Sequence, residues 1–237
     1  MTTARRELPG WAEELRSRYL RGEAWQFVLH GNVHDLVQHD GRFVPLPDFV
    51  ADVILAPAKD LVVRYDVSAG VRVVKGSSVI LREGLAAERS AARMLPVLER
   101  VLVGTNRVAV VIEYAEALAP AADAAFSSEA DRQSVVTLHR WSMSPALERA
   151  DNLVVLVAET LAELHPRIVA NPRTPAVRIP LPDAEARADA IRVTAPGLDA
   201  AWVDRLAEVT AGLRLVQIQG ILAPPAHAED PASRERW

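Results

Sequence analysis

Arg107–Pro120 reads RVAVVIEYAEALAP, an unbroken apolar run that ends abruptly in acidic residues. Val and Ile suit a pleated strand because their branched side chains pack well on its surface. A strand without polar alternation has both faces covered, as in a parallel sheet packed between helices. The same form recurs outward along the chain. LVVLVAET (Leu153–Thr160) and AVRI (Ala176–Ile179) follow it; WQFVLH (Trp25–His30) and LVVRY (Leu61–Tyr65) precede it. Five strands are therefore expected, near residues 25–30, 61–67, 107–112, 153–158 and 176–179. Beyond a break near Gly70, Val71–Val74 reads as a continuation of the second.

Between these strands the apolar period changes to that of helices. Trp11, Leu15 and Tyr19 recur four apart in a short amphipathic helix. Phe49, Val50, Val53 and Ile54 give a second helix within 46–55. Leu85, Met94, Leu95, Leu98 and Val101 mark a long one over about 84–103, which Pro96 should bend or interrupt. Another spans 127–150, opening at Ser128-Glu129 and cut short by Pro145. After the last strand come small helices at 184–193 and 200–211, and the start of a further one within Gly212–Leu222 (GLRLVQIQGIL). Strand and helix alternate throughout, so the fold class is α/β. From Pro224 onward Pro, Ala and charge dominate, and 223–237 is expected to be a disordered tail.

Composition excludes several classes of function. Half of the residues are hydrophobic, and the net charge of -4 gives no support for a nucleic-acid binder, which would usually show a basic face. With no cysteine, a disulfide framework or a thiolate zinc site is impossible. No apolar run approaches the ~20 residues of a membrane span, and the N-terminus lacks a signal-peptide core. A cytoplasmic protein is expected. His30, His34, Asp35 and His39 could ligate a metal if residues 32–39 were helical. Gly31-Asn32 and Asp40-Gly41 favour a turn-rich loop instead, so no metal site is expected.

The acids after the central strand narrow the reading. RVAVVIEYAEALAP has the form of a Walker B segment, and LVVLVAET stands where a sensor-1 strand would follow. HPRIVANPR (His165–Arg173) occupies the place of arginine fingers, and AVRIPLPDAEARADAIR (Ala176–Arg192) that of the passage from core to helical lid. On these residues, over about 25–222 and most strongly over 107–222, the chain resembles the AAA-family ATPases of the P-loop NTPase superfamily. FVLHGNVHDLV and DLVVRYDVSAGV are similar to the degenerate first module of tandem bacterial AAA proteins. The resemblance implies a five-stranded parallel sheet in the order 5-1-4-3-2 within an AAA-like core at 1–182, whose N-terminal helix lies in 1–22. A partial helical lid at 183–222 would follow.

It also implies which residues would carry chemistry. Glu113 and Glu116 fall at the Walker B acids, with Tyr114 where the catalytic glutamate should be. Arg167 and Arg173 are arginine-finger candidates, Glu159 and Thr160 are sensor-1-like, and Gly31, Asn32, Val33, His34 and Asp35 take the nucleotide-loop position. A phosphate-binding loop needs a glycine-rich turn ending in Gly-Lys-Ser/Thr. Here there are only two lysines, Lys59 and Lys75, and the one Lys-Gly-Ser (Lys75–Ser77) lies after the second strand in reversed order. The expectation is an AAA-type module that lacks Walker A and needs no cofactor, with ATP and Mg²⁺ bound only if the site is residually active. Its expected partners are further copies of itself or an intact AAA ATPase module.

Simpler roles stand beside these. Acids commonly end parallel strands, Arg167 and Arg173 can be solvated loop residues, and Arg132, Arg140, Arg149 and His139 can be one helix's polar face. Trp141 is either a packing residue of that helix or a residue facing a ring pore. Two other functions stay open at this stage, an atypical ATP-binding AAA ATPase and a protein-binding adaptor that ignores nucleotide.

Overall fold

The computed structural model describes residues 8–84, 90–122 and 127–223. Within it β1 (Gln26–Gly31), β4 (Leu61–Asp66), β6 (Val108–Ile112), β7 (Leu153–Ala158) and β8 (Ala176–Ile179) join in one parallel sheet. β5 (Gly70–Lys75) adds to its edge antiparallel to β4, giving the order β5-β4-β6-β7-β1-β8. The sheet thus has six strands where five were expected, so the expected order is extended rather than matched as it stands. The five parallel members keep the succession 5-1-4-3-2 within it. Val71–Val74 does not continue β4. Gly70 has φ of 81°, a value open to glycine, and the chain reverses there.

Every residue of β6 and β7 is buried, as their unbroken apolar runs require. One face of the sheet presents Val63, Val110, Ile112, Val154 and Leu156 to Met94, Leu98 and Leu102 of α4 (Ala91–Gly104) and to Leu138 and Trp141 of α5 (Glu129–Ser142). The other face is buried too, through Phe27, Leu29, Val62, Val111 and Val155. On that side Trp11 of α1 (Gly10–Leu20) meets Phe49 edge to face, with ring centroids 5.8 Å apart.

Several helices differ from expectation in detail. Pro96 interrupts nothing: α4 runs through it. Pro96 is the sixth residue of α4, so the helix forgoes one interior hydrogen bond, and the burial of Met94, Leu95, Leu98 and Leu102 in the core offsets the loss. The expected 46–55 helix is a short α2 (Leu46–Asp48) followed by a π-helical turn, Phe49–Leu55. Ser128 caps α5 in a reciprocal capping box with Asp131, and Pro145 opens a separate α6 (Pro145–Arg149). Val79–Gly84 forms α3, Pro166–Val169 forms α7, and Leu85 lies outside the described residues.

The chain divides into two compact units. One holds the described residues up to Val33 together with Pro47–Pro180; the other holds His34–Leu46 and the described residues from Leu181 onward. The second unit contains a hairpin that the sequence reading missed, β2 (Leu36–His39) and β3 (Arg42–Pro45), joined at Asp40-Gly41. Both turn residues have positive φ, 54° and 70°, as a two-residue hairpin turn demands. Leu36 and Phe43 pack on a core of Ile191, Val203, Leu215 and Ile218 from α8 (Ala184–Thr194), α9 (Ala200–Val209) and α10 (Leu215–Leu222). Except for Ala223, the expected tail lies outside the described residues.

Candidate functional site

Open α/β sheets keep their ligand crevice at the carboxyl ends of the strands. Beyond β1, the backbone N–H of Gly31 donates to Glu159 O at 3.0 Å, that of Asn32 to Ile179 O at 3.0 Å, and that of Val33 to Gly31 O at 2.8 Å. The amides at the nucleotide-loop position are therefore engaged with neighbouring carbonyls. Gly31 has φ of 99°, and a Cβ there would stand 2.6 Å from the Ile179 carbonyl oxygen, so glycine is required by close approach to β8. No helix starts at this point, because the chain enters the β2–β3 hairpin. His34 and Asp35 belong to the second unit. Asp35 is buried, and its two carboxylate oxygens accept the N–H groups of Leu215 and Val216, each at 2.9 Å. Asp35 thus caps α10, where a carboxylate also meets the positive end of the helix dipole.

The acid after β6 is committed as well. Glu113 takes two hydrogen bonds from the Arg64 guanidinium, Nε to Oε1 at 2.6 Å and Nη2 to Oε2 at 2.8 Å. The side chains of Arg64 and Glu113 are only 11% and 14% exposed. Arg64 also bridges to Asp48, which Arg72 of β5 joins at 3.3 Å. Burial alone would lower the guanidinium's affinity for its proton; the bonds to Glu113 and Asp48 more than reverse this and raise it. Tyr114 follows with φ of 53° and an exposed ring, and Glu116 sits half-buried on a single 3-10 turn, Ala115–Ala117. At the end of β7, Glu159 is exposed, and Thr160 Oγ1 accepts the Ala162 N–H at 3.3 Å as an N-cap. Among the expected residues, Gly31 thus lies beside Glu159, whereas Glu113 is held by Arg64, which was not among them. His30, at the tip of β1, holds its proton less readily than an ordinary imidazole, through burial first and Arg178 second.

Neither lysine stands at these strand ends. Lys59, 2% exposed, precedes β4 at the amino end of the sheet, where its Nζ meets Asp151 O and Tyr19 Oη at 2.5 Å each. Lys75 Nζ donates to Ala56 O at 2.6 Å and Lys59 O at 2.7 Å.

The candidate fingers lie beside α5. Arg167, on α7, borders two neighbouring cavities of about 220 and 390 Å³. Arg173 borders the second, with its guanidinium over the Trp25 ring, 5.4 Å from the centroid. The loop that carries it is fixed from below. Asn171 Nδ2 donates to Ser142 Oγ at 2.7 Å, Asn171 Oδ1 accepts the Arg173 N–H at 2.9 Å, and Gln26 Nε2 donates to Thr174 Oγ1 at 3.1 Å. Trp141 is buried, with its carbonyl accepting Trp25 Nε1–H at 2.8 Å, so it packs the core and faces no pore.

A family model described as "AAA+ chaperone, N-terminal Rossmann-like domain" matches residues 2–180. The chain belongs to this family. No curated protein matches it. The match ends at Pro180, directly after β8, so the AAA+ chaperone domain as the family defines it takes in the whole sheet and the β2–β3 hairpin but none of α8–α10. Sequence reasoning overlooked Arg64, although an isolated arginine inside the apolar LVVRY was a signal that β4 carries a buried ion pair.

Proposed function

We propose that this AAA+ chaperone N-terminal domain is a non-hydrolysing AAA-type module that assembles with, or regulates, a partner carrying an intact nucleotide site. The observation that carries this reading is the bidentate Arg64–Glu113 pair. In an active site of this class the acid after the strand handles Mg²⁺ and the attacking water. Here the same acid faces a buried guanidinium, which a divalent cation would have to displace against repulsion. The absence of a Gly-Lys-Ser/Thr loop and the engagement of the Gly31–Val33 amides support the same reading. Arg167 and Arg173 enter it as cations that face a partner, not as parts of a hydrolytic centre of this chain.

Titration of the purified chain with a fluorescent ATP analogue and Mg²⁺ tests the proposal. No saturable binding is expected up to millimolar nucleotide. Micromolar binding that disappears in Glu113→Ala would overturn it and make the chain an ATPase candidate.

A further inference from the structure

We propose that the trough along α5, bounded by α7 and the loop before β8, is a docking site for an acidic segment of a partner protein that also carries apolar side chains. This rests on the reading that the chain acts through a partner, and it names the chemistry of the surface that partner uses.

Asp131, Val135 and His139 recur four apart on α5 and Met143 follows as its C-cap, so successive members adjoin in a face that winds along the helix, with Arg132 and Val136 beside them. That face lines both cavities that meet at Arg167. Val135 is buried in the floor, whereas Val136 is 52% and Met143 49% exposed. Apolar side chains so presented gain from being covered.

Positive charge predominates in the trough, with three arginines against one acid. Arg132, Arg167 and Arg173 border it, and among the described residues no ion pair joins any of them to a carboxylate. The lone lining acid, Asp131, is spent on the Ser128 N–H of its capping box, at 2.8 Å. Complementarity therefore calls for an anionic partner. Arg173 is already held over Trp25 by a loop tied to Ser142, so little freedom remains to be lost on binding.

Shape and apolar content select a peptide. From Asp131 to Met143 the helix rises about 18 Å, the span of roughly five or six extended residues. A small phosphate would leave Val136 and Met143 uncovered.

Random 12-residue peptides displayed on phage, selected on the intact chain, test this. Enriched sequences are expected to combine several Asp or Glu with at least one large apolar residue. Synthetic copies should bind about tenfold more weakly to Arg167→Ala and to Arg173→Ala, and more weakly to Val136→Asp. These positions are exposed, so the variants should keep the parent's circular dichroism and melting. Enrichment of neutral or basic peptides, binding that survives the double arginine variant, or no enrichment at all would overturn the proposal. So would displacement of a bound peptide by equimolar inorganic triphosphate, which would make the trough a phosphate site. Selection is run without nucleotide, so its failure leaves the ATP titration untouched, and ATP binding leaves the peptide result untouched.

Discussion

Arg64 shows how one side chain can engage the acid at the end of a strand. It sits on β4 opposite Val111 of β6, and its planar fork reaches both oxygens of Glu113. Arginine suits this task because its charge is permanent and its donors match a carboxylate. Arg64→Ala would leave Glu113 largely buried without a counter-charge. Breaking such a pair costs about 3 kcal/mol, a fall in Tm of roughly 6–12 °C. Because Arg64 and Glu113 exchange desolvation for mutual attraction, Arg64→Leu with Glu113→Leu should melt closer to the parent than Arg64→Ala does. A double variant that melts below both single variants would show that the pair is not the determinant. The acids of RVAVVIEYAEALAP were legible in the sequence as strand-end carboxylates. Their engagement was not, since the partner of Glu113 lies on another strand. Arg173 behaves alike: its identity was evident, whereas its seat over Trp25 depends on how β1 and the loop before β8 come together.

Strands with unbroken apolar runs were readable because burial on both faces leaves no other pattern. The β2–β3 hairpin was missed although Asp40-Gly41 between alternating residues is a hairpin signal; its strands are only four residues long each, too short for a clear period. α10 depends on a cap that no local motif reveals, because Asp35 is far from Leu215 and Val216 in the chain. Asp35→Ala would leave two N–H groups at the start of α10 without their acceptor, at a cost of about 1–2 kcal/mol to the second unit. Amide hydrogen exchange should accelerate across Leu215–Leu222 while β6 and β7 stay protected. Equal acceleration in both regions would mean that Asp35 supports more than its helix.

Across the molecule, the ion-pair cluster at the amino end of the sheet ties α1 to the strands and couples folding to pH. Burial first, then the Asp151 carboxylate, pushes the Tyr19 phenol above its ordinary 10.0. A raised value in the folded state means stability that is intact below pH 10 and lost as pH rises beyond it, because the unfolded chain ionises first. Lys59 acts in the opposite sense: burial lowers its amine below 10.5 despite Asp151, so stability grows as pH climbs towards that value. Asp151 is held below 3.8, since its bonds to Tyr19 and Lys59 outweigh the burial that opposes ionisation; its contribution disappears as pH falls under that figure. Comparing Tyr19→Phe with the parent isolates the phenol: their Tm difference should be constant from pH 7 to 9.5 and move in favour of the variant above pH 10. A constant difference to pH 11 would remove Tyr19 from this role. By itself the sequence determined the α/β class, five parallel strands and the positions of their acidic ends, because periodicity and burial are local and repetitive. Only the tertiary structure decided that β5 turns back as a sixth strand, that Asp35 serves a helix, that Glu113 is held by Arg64, and that α5 and α7 frame a cationic trough. Each of these depends on residues distant in the chain meeting at a few ångströms, where short-range contacts and desolvation set the energy.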